Sequence, residues 1–173
     1  MDYPKFSMVG DYTSKRFVLH HSGTKTLVVV GCNPSVASDL SPDNTMHNVC
    51  RIATANGYDG IVMINLSAQR ATNPNELDVE NNSELHKENL TAISDVLEDV
   101  RTFDVLLAYG GLIHKRRYLQ HNLQDLLSIF AKYEAPILTI GINKDGTPKH
   151  PCPRTGLPKD LSLKQYNFYH NGK

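Results

Sequence analysis

The chain has 173 residues, of which 40% are hydrophobic and 21% are charged, proportions typical of one globular domain that exclude a disordered, collagen-like or disulfide-framework protein. Eighteen basic residues balance eighteen acidic ones, so the net charge gives no general attraction to nucleic acid or membranes. The charge is uneven, because residues 74–104 hold nine acids and two bases whereas residues 114–173 hold ten bases and four acids. This asymmetry indicates a basic face in the second half, or a solvated charged surface.

Cysteine usage and hydropathy bear on the compartment. Cys32, Cys50 and Cys152 form no CxxC pair and are odd in number, a pattern typical of a reducing compartment and not of a cysteine-only zinc site. No apolar run approaches the roughly 18 residues that span a bilayer, and the amino terminus lacks the apolar stretch of a signal peptide. We therefore expect a cytoplasmic protein without membrane contacts. No HExxH or HxH motif is present, so we expect no metal site and no cofactor.

The predicted elements are short apolar runs separated by segments of helical periodicity. In chain order they are strands at 17–20 and 26–30, a helix from the capping residue Asp43 to about Asn56, a strand at 60–65, a helix that begins near Ser83, a strand at 105–109, a helix whose apolar face runs from Leu119 to Phe130, and a strand at 136–140. Because apolar strands alternate with helices, we predict a three-layer α/β/α fold with a mainly parallel sheet of about four or five strands. We expect a single domain over residues 1–173, with residues 1–15 and 162–173 as peripheral arms or edge elements.

Small and polar residues follow four of the predicted strands. The segments are Gly31-Cys32-Asn33-Pro34-Ser35, Asn65-Leu66-Ser67, Tyr109-Gly110-Gly111 and Gly141-Ile142-Asn143. Ligands of open parallel sheets gather outside the carboxyl ends of the strands, so these segments predict one binding crevice. The segment 149–154, Lys-His-Pro-Cys-Pro-Arg, follows the last strand closely enough to close over it.

The segment 31–35 is the most informative. Gly31 permits a tight exit from the strand and Pro34 fixes the backbone, so the amide of Asn33 points in one direction and can orient a water molecule. Equally, Asn-Pro-Ser is ordinary turn chemistry that caps the next segment. The segment matches neither the GxxxxGK[ST] loop of nucleoside triphosphatases nor the GxGxxG motif of dinucleotide-binding proteins. The sequence therefore does not favour either of these two classes of protein.

Two further side chains are candidates for this crevice. His150 lies between Pro148 and Pro151, where the backbone has little freedom and can aim an imidazole. A lone histidine of this kind is otherwise structural or exposed. Asn65 carries donor and acceptor groups that suit the edge of a nucleobase, or that satisfy local backbone. The basic cluster Lys-Arg-Arg at 115–117 is interpreted as solvated.

Taken together, GCNPS at 31–35, NLSAQRATNP at 65–74, AYGG at 108–111 and GxPxHP at 146–151 resemble the domain of unknown function 1643 family of bacterial and phage proteins. This resemblance extends from about Arg16 to Leu161. The order of motifs also resembles, more distantly, the uracil-DNA glycosylase superfamily. There a Gly-x-Asp/Asn-Pro turn follows the first core strand, an Asn ends a later strand, and a His-Pro-Ser-Pro segment closes the site.

The second resemblance implies a uracil-DNA glycosylase-like fold and hydrolysis of an N-glycosidic bond. Carried over to this sequence, it implies that Asn33 orients the attacking water and that Asn65 binds the edge of the base. His150 would donate a hydrogen bond to the base carbonyl oxygen that becomes negative as the bond breaks. The residues expected to contact substrate are Gly31, Pro34, Ser35, Asn65, Ser67, Gly110 and Arg154.

Three positions depart from the superfamily pattern. Ser35 stands where the uracil-specific branch has a Tyr that excludes the thymine methyl, so strict uracil selection is not implied. Cys152 replaces the Ser of His-Pro-Ser-Pro. Arg154 stands where an apolar residue would fill the vacated base stack, a place in which arginine can stack or pair with phosphate.

Three functions stay open at this point. The first is a hydrolase that acts on a modified or deaminated base in DNA or in a nucleotide. The second is a non-catalytic nucleic-acid or nucleotide-binding module of the same fold, which the neutral charge favours because duplex binding draws on many basic contacts. The third is covalent chemistry through Cys32 or Cys152 with His150. DNA or a nucleotide is the expected partner of the first two.

Overall fold

A mixed β-sheet organises the part of the chain that the computed structural model describes, residues 4–35, 43–151 and 157–167. Its strands are β1 (Ser7–Gly10), β2 (Arg16–His21), β3 (Thr26–Gly31), β4 (Gly60–Asn65), β5 (Phe103–Leu107), β6 (Ile137–Thr139) and β7 (Lys164–Gln165). The helices are α1 (Asn44–Ala55), α2 (Ser83–Val100) and α3 (Tyr118–Ala131), with 3₁₀ turns at Pro74–Glu76 and Gly110–Lys115. Each predicted strand and helix is present, with ends that differ from the prediction by at most about two residues.

The order of strands across the sheet is β1-β2-β4-β3-β5-β6-β7. The four central strands, β4, β3, β5 and β6, are parallel to their neighbours in that group. Antiparallel pairing joins β1 to β2, β2 to β4 and β6 to β7. The described sheet thus has seven strands, and the prediction of a mainly parallel sheet of four or five strands is wrong in both respects.

The two errors have separate physical causes. The strands β1 and β7 are the two outermost strands of the sheet, and their residues are exposed or half-buried. They therefore contain no apolar run from which a strand could be predicted. They fall in the segments expected to be arms or edge elements. The error in direction concerns β2, whose first four residues are buried although it runs antiparallel to β4. A continuous apolar run reports burial on both faces and not the direction of the strand.

Helices cover both faces of the sheet. Ile93 and Leu97 of α2 pack with α3 against one face, whereas Met46 and Ile52 of α1 pack against the other. Successive residues of β3 alternate between these two cores, as the two-residue period of a strand requires. The layer order is therefore α2 with α3, then the sheet, then α1.

Local capping sets the helix starts. The Asp43 carboxylate accepts a hydrogen bond from Met46 N at 2.8 Å, and Asn56 is the C-cap of α1. The prediction for this helix is confirmed. In α2 the cap is Asn82, which accepts from Leu85 N at 3.0 Å, one residue before the expected start. Side chains with a short polar acceptor favour this position because they satisfy amides that the first helical turn leaves unpaired.

The carboxyl ends of the parallel strands lie side by side. Backbone hydrogen bonds between neighbouring chain segments continue beyond the last residues of these strands. Leu66 N donates to Gly31 O at 3.0 Å, and Ala108 N donates to Val30 O at 2.9 Å. The segments that follow β3, β4 and β5 are thereby held side by side, as the sequence predicts. Among the described helices, none is long and apolar enough to cross a bilayer.

Candidate functional site

Gly31 and Asn65 meet where β3 and β4 end, and they are paired in register. A Cβ atom on Gly31 would lie 2.5 Å from Asn65 Oδ1 and 2.8 Å from Met63 Cε. Met63 belongs to the core on the α1 face, so Asn65, two residues further along the strand, faces α1 as well. Glycine at position 31 therefore provides the space that the Asn65 carboxamide occupies.

The Asn65 carboxamide is buried without a hydrogen bond. The residue is 1% exposed, and neither Nδ2 nor Oδ1 has a hydrogen-bond partner among the described residues. Leaving a buried polar group unpaired costs about 1–3 kcal/mol, and native proteins keep few such groups. A partner with an adjacent donor and acceptor would satisfy both atoms only if the groups that cover the carboxamide moved aside.

Two buried asparagines hold the end of β4 from the opposite face of the sheet. Asn89 of α2 donates Nδ2 to the main-chain oxygen of Asn65 at 3.1 Å, and Asn122 of α3 donates Nδ2 to Leu66 O at 2.9 Å. Their exposures are 1% and 2%, so these bonds form away from water. Sequence reasoning did not assign these roles. The signal for Asn89 was its position within the apolar face of α2, where a polar side chain needs a buried partner.

The Asn33 amide is held by main-chain carbonyls. Its Nδ2 donates to Ala71 O at 2.7 Å and to Pro34 O at 3.2 Å. Ala71 N in turn donates to Pro34 O at 3.0 Å, so the side chain fastens the turn at 31–35 to the loop that follows β4. With both amide hydrogens engaged, Oδ1 is the atom through which Asn33 can accept a hydrogen bond from water.

Ser35 is placed through its main chain. Its carbonyl oxygen accepts a hydrogen bond from Nη1 of Arg70 at 2.8 Å, and Nε of the same guanidinium donates to Asp11 O at 2.9 Å. Pro34 is buried and Ser35 is half-buried. Arg70 thus ties the turn at 31–35 to the β1–β2 connection, which makes the turn rigid.

His150 lies against the end of β5, at the same edge of the sheet as Asn65. Gly110, three residues after β5, has a φ of 62°, a conformation that glycine adopts without steric cost. A Cβ atom on Gly110 would lie 3.1 Å from Cβ of His150. His150 is half-buried, and the absence of a side chain at Gly110 allows this close approach.

The main chain is fixed on both sides of His150. Lys149 N donates to Gly141 O at 2.8 Å. On the other side, Nδ2 of Asn48 donates to Pro151 O at 3.0 Å. Asn48 is on α1, so the segment that carries His150 runs from the end of β6 towards the helix on the same face as the Asn65 carboxamide.

The structure brings some of the predicted site residues together and separates one from them. Gly31 contacts Asn65, Gly110 contacts His150, and both pairs lie at the carboxyl edge of the parallel strands. Ser67, by contrast, lines a small cavity with side chains of α2 and α3. It therefore lies on the face of the sheet opposite to the Asn65 carboxamide.

Of the three cysteines, Cys32 and Cys50 are described and buried, whereas Cys152 lies outside the described residues. Cys32 is 2% exposed in the core beneath α2 and α3, and burial raises the pKa of its thiol to about 12. Since the thiolate is the nucleophile, covalent chemistry at Cys32 loses its support. Cys152 and Arg154 lie outside the described residues, and their roles stay predictions.

Arg116 contradicts the interpretation of 115–117 as a solvated cluster. Its guanidinium donates to Leu77 O at 2.7 Å, to Asn75 O at 3.0 Å and to Asp78 O at 3.0 Å. Lys115 Nζ donates to Oδ1 of Asn75 at 3.2 Å. These bonds clamp the turn at 74–78 onto the 3₁₀ turn that follows β5.

A comparison with protein families identifies the chain's relatives. The family described as "Protein of unknown function (DUF1643)" matches residues 16–152. The chain belongs to this family. No curated protein and no solved structure matches it. The DUF1643 range includes β2 to β6, all three helices and every described residue of the candidate site, whereas Arg154 and β7 lie beyond it.

The candidate site in this DUF1643 chain offers hydrogen-bonding side chains. Its polar groups are the carboxamides of Asn33 and Asn65 and the imidazole of His150. Within residues 4–35, 43–151 and 157–167, no group of three or more His, Cys, Asp or Glu side chains is arranged to hold a metal ion. Carboxamides and an imidazole can form hydrogen bonds with a polar ligand as donors and as acceptors.

Proposed function

We propose that this protein is a uracil-DNA glycosylase-like hydrolase that cleaves the N-glycosidic bond of a modified or deaminated base in DNA or in a nucleotide. The observation that carries the proposal is the buried Asn65 carboxamide, whose donor and acceptor have no partner in the part of the chain that the structure describes. The edges of nucleobases present adjacent donors and acceptors, and a carboxamide can pair with such an edge through two bonds. Because the carboxamide is 1% exposed, a base would replace the missing partners of Asn65 only by displacing the groups that cover it.

His150 supports the hydrolytic step. Breaking the bond between the sugar carbon and the base nitrogen leaves the electron pair on the base and positive charge on the sugar. A preorganised donor at a base carbonyl oxygen stabilises that electron pair and is worth about 3–4 kcal/mol in comparable sites. The fixed main chain on both sides of His150 favours this role.

Asn33 supplies the remaining group in this proposal. A water held by Asn33 Oδ1 would add its oxygen to the sugar carbon, with one water proton passing to the departing base or to solvent. On a polynucleotide the base must also leave the stack, which costs a few kcal/mol. The excess of basic residues over 114–173 supports contacts with the phosphates of such a substrate.

A second candidate is a non-catalytic module that binds a nucleic acid or nucleotide with the same residues. One observation favours it: the side chain held at this turn by the carbonyls of Pro34 and Ala71 is the amide of Asn33 and not a carboxylate. A neutral amide is a weaker activator of water than an ionised carboxylate. In this candidate Asn65 and His150 recognise a base that is not released.

The test is incubation of the full chain with oligonucleotides that carry uracil, hypoxanthine, or oxidised or alkylated bases, followed by hot alkali to reveal abasic sites. The proposal predicts strand cleavage at one class of base, lost in Asn65→Ala and His150→Ala. His121→Ala is the matched control, because His121 is exposed on α3, and it retains activity. Cleavage that persists in both site variants contradicts the assigned roles.

The same panel separates the two candidates. Labelled single and double strands and base-modified nucleotides are titrated at low salt, beside the cleavage assay. Base-specific binding that is lost in Asn65→Ala, without cleavage of any substrate, supports the binding module and rejects the hydrolase. Neither binding nor cleavage of any substrate rejects both.

A further inference from the structure

A second cavity lies at the amino ends of β3 and β5, the opposite end of the parallel strands from Asn65. Its volume is about 400 Å³, within the range of about 300–1,000 Å³ that small-molecule sites occupy. Thr26 and Thr102 line it at the starts of the two strands, and the last turn of α2 forms a wall. This position is remote from Asn65, which ends β4 at the other edge.

The cavity carries negative charge. Asp99 of α2 lines it, and the last turn of that helix contains no basic residue. The carboxyl end of a helix is itself the negative end of the helix dipole, where an acidic residue is unfavourable and a cation is favoured. Among the described residues, Asp99 forms no ion pair within 4.0 Å.

Two histidines, His20 and His21, also line the cavity, and Nδ1 of His21 is hydrogen-bonded to Lys5 O at 2.9 Å. Burial lowers the pKa of His20 below 6.5, although the nearby Asp99 carboxylate opposes the shift. His20 is therefore largely neutral at neutral pH, and its ring nitrogen can accept a hydrogen bond. Asp99 is exposed and the basic residue Arg101 caps the same helix; no ion pair to Asp99 is formed among the described residues, and the end of the helix adds to the negative potential at this point.

The residues that line the cavity favour a ligand with a charged ammonium group and a short alkyl chain. The hydroxyls of Thr26 and Thr102 can accept hydrogen bonds from an ammonium group. Val62, Val96 and Val100 present methyl groups to the same space. An alkyl chain of a few carbons would bury apolar surface against these valines, while its charged end reaches the carboxylate.

We propose that this cavity binds a small alkylammonium ligand, with Asp99 as its counter-ion and the three valines in contact with its alkyl chain. The site is independent of the proposed function, because it shares no residue with the carboxyl edge of the parallel strands. Anions are disfavoured there by the same charge that attracts the amine.

The test is titration of the full chain with n-pentylammonium at neutral pH, followed by calorimetry and by the amide resonances of Gly23 and Thr102. We expect saturable binding that shifts both resonances. Asp99→Asn keeps the shape and removes the charge, and it is expected to weaken binding by about tenfold or more. Asp95→Asn is the matched control, because Asp95 is exposed on the same helix but does not line the cavity.

A neutral chain of the same length, 1-pentanol, separates the charge from the alkyl contact. The proposal predicts that 1-pentanol binds more weakly than n-pentylammonium and that Asp99→Asn reduces this difference. Three results overturn the proposal: no saturable binding of the amine, equal weakening in Asp95→Asn, or equal affinity for the alcohol. The dispersion of the amide spectrum shows in each case that the variant is folded.

Discussion

Asn65 and Asn89 are both buried at 1% exposure and differ in their hydrogen bonds, although Oδ1 of Asn89 also has no partner among the described residues. The carboxamide of Asn65 has no described partner, whereas Nδ2 of Asn89 satisfies the main-chain oxygen of Asn65. We expect Asn89→Ala to lower the free energy of unfolding by about 1–3 kcal/mol, because it leaves that carbonyl unpaired, and Asn65→Ala to lower it by less or to raise it. Chemical denaturation monitored by circular dichroism measures both.

The comparison of the two variants tests whether Asn65 is retained for binding. If Asn65→Ala is destabilised as much as Asn89→Ala, the Asn65 side chain is stabilising the fold and the argument for a ligand there is lost. The two residues are of the same type and burial, so each serves as the control for the other.

Cys32 is expected to resist alkylation in the native protein. Its thiol is buried and its pKa is raised to about 12 by that burial, so at neutral pH both access and thiolate are lacking. Peptide mass spectrometry after mild treatment with iodoacetamide should show Cys32 unlabelled until denaturant is added. Rapid labelling of Cys32 in the folded chain would restore covalent chemistry as a hypothesis.

At the scale of single residues, sequence reasoning found candidates but not their partners. Asn65 and His150 were chosen from residue type and position alone, and they lie at the edge where they were expected. The bond from Asn89 to the Asn65 carbonyl joins residues 24 positions apart on different elements. A hydrogen bond between residues so far apart in sequence cannot be predicted from local sequence patterns, and it is seen only in the structure.

Among the elements, α1 depends on its cap. The Asp43 carboxylate accepts from Met46 N, so Asp43→Ala should cost about 0.5–2 kcal/mol of unfolding free energy, whereas Asp43→Asn, which keeps the acceptor, should cost much less. Thermal unfolding of the two variants gives the comparison. An equal loss in both would mean that the charge of Asp43, and not its capping bond, stabilises the helix.

The elements also show which local signals suffice. Capping residues and apolar periodicity predicted α1 almost to the residue, because both act within one turn of chain. The strands β1 and β7 lie in segments expected to be arms or edge elements, but they bury little and so are not counted in the predicted sheet. The direction of β2 is not predicted because strand pairing depends on residues far along the chain. In the same way, Arg116 was interpreted as solvated because the carbonyls that it binds lie about 40 residues before it.

At the scale of the whole molecule, the sheet topology separates two regions of different chemistry. The carboxyl ends of the parallel strands bring together the hydrogen-bonding groups of Asn33, Asn65 and His150. The amino edge holds a cavity with the negative charge of Asp99. Sequence reasoning predicted the first region because strand ends can be read from apolar runs. It did not predict the second, whose lining comes from turns and a helix end.

The most direct test of the central claim observes the Asn65 side-chain amide by nuclear magnetic resonance while nucleobases and their nucleosides are added. Its two proton resonances are assigned by their loss in Asn65→Ala. If Asn65 pairs with the edge of a base, at least one base shifts these resonances saturably, and His121→Ala behaves like the parent chain. Resonances that stay unchanged with every base, while the protein remains folded, would contradict the assignment of this edge as a nucleobase site.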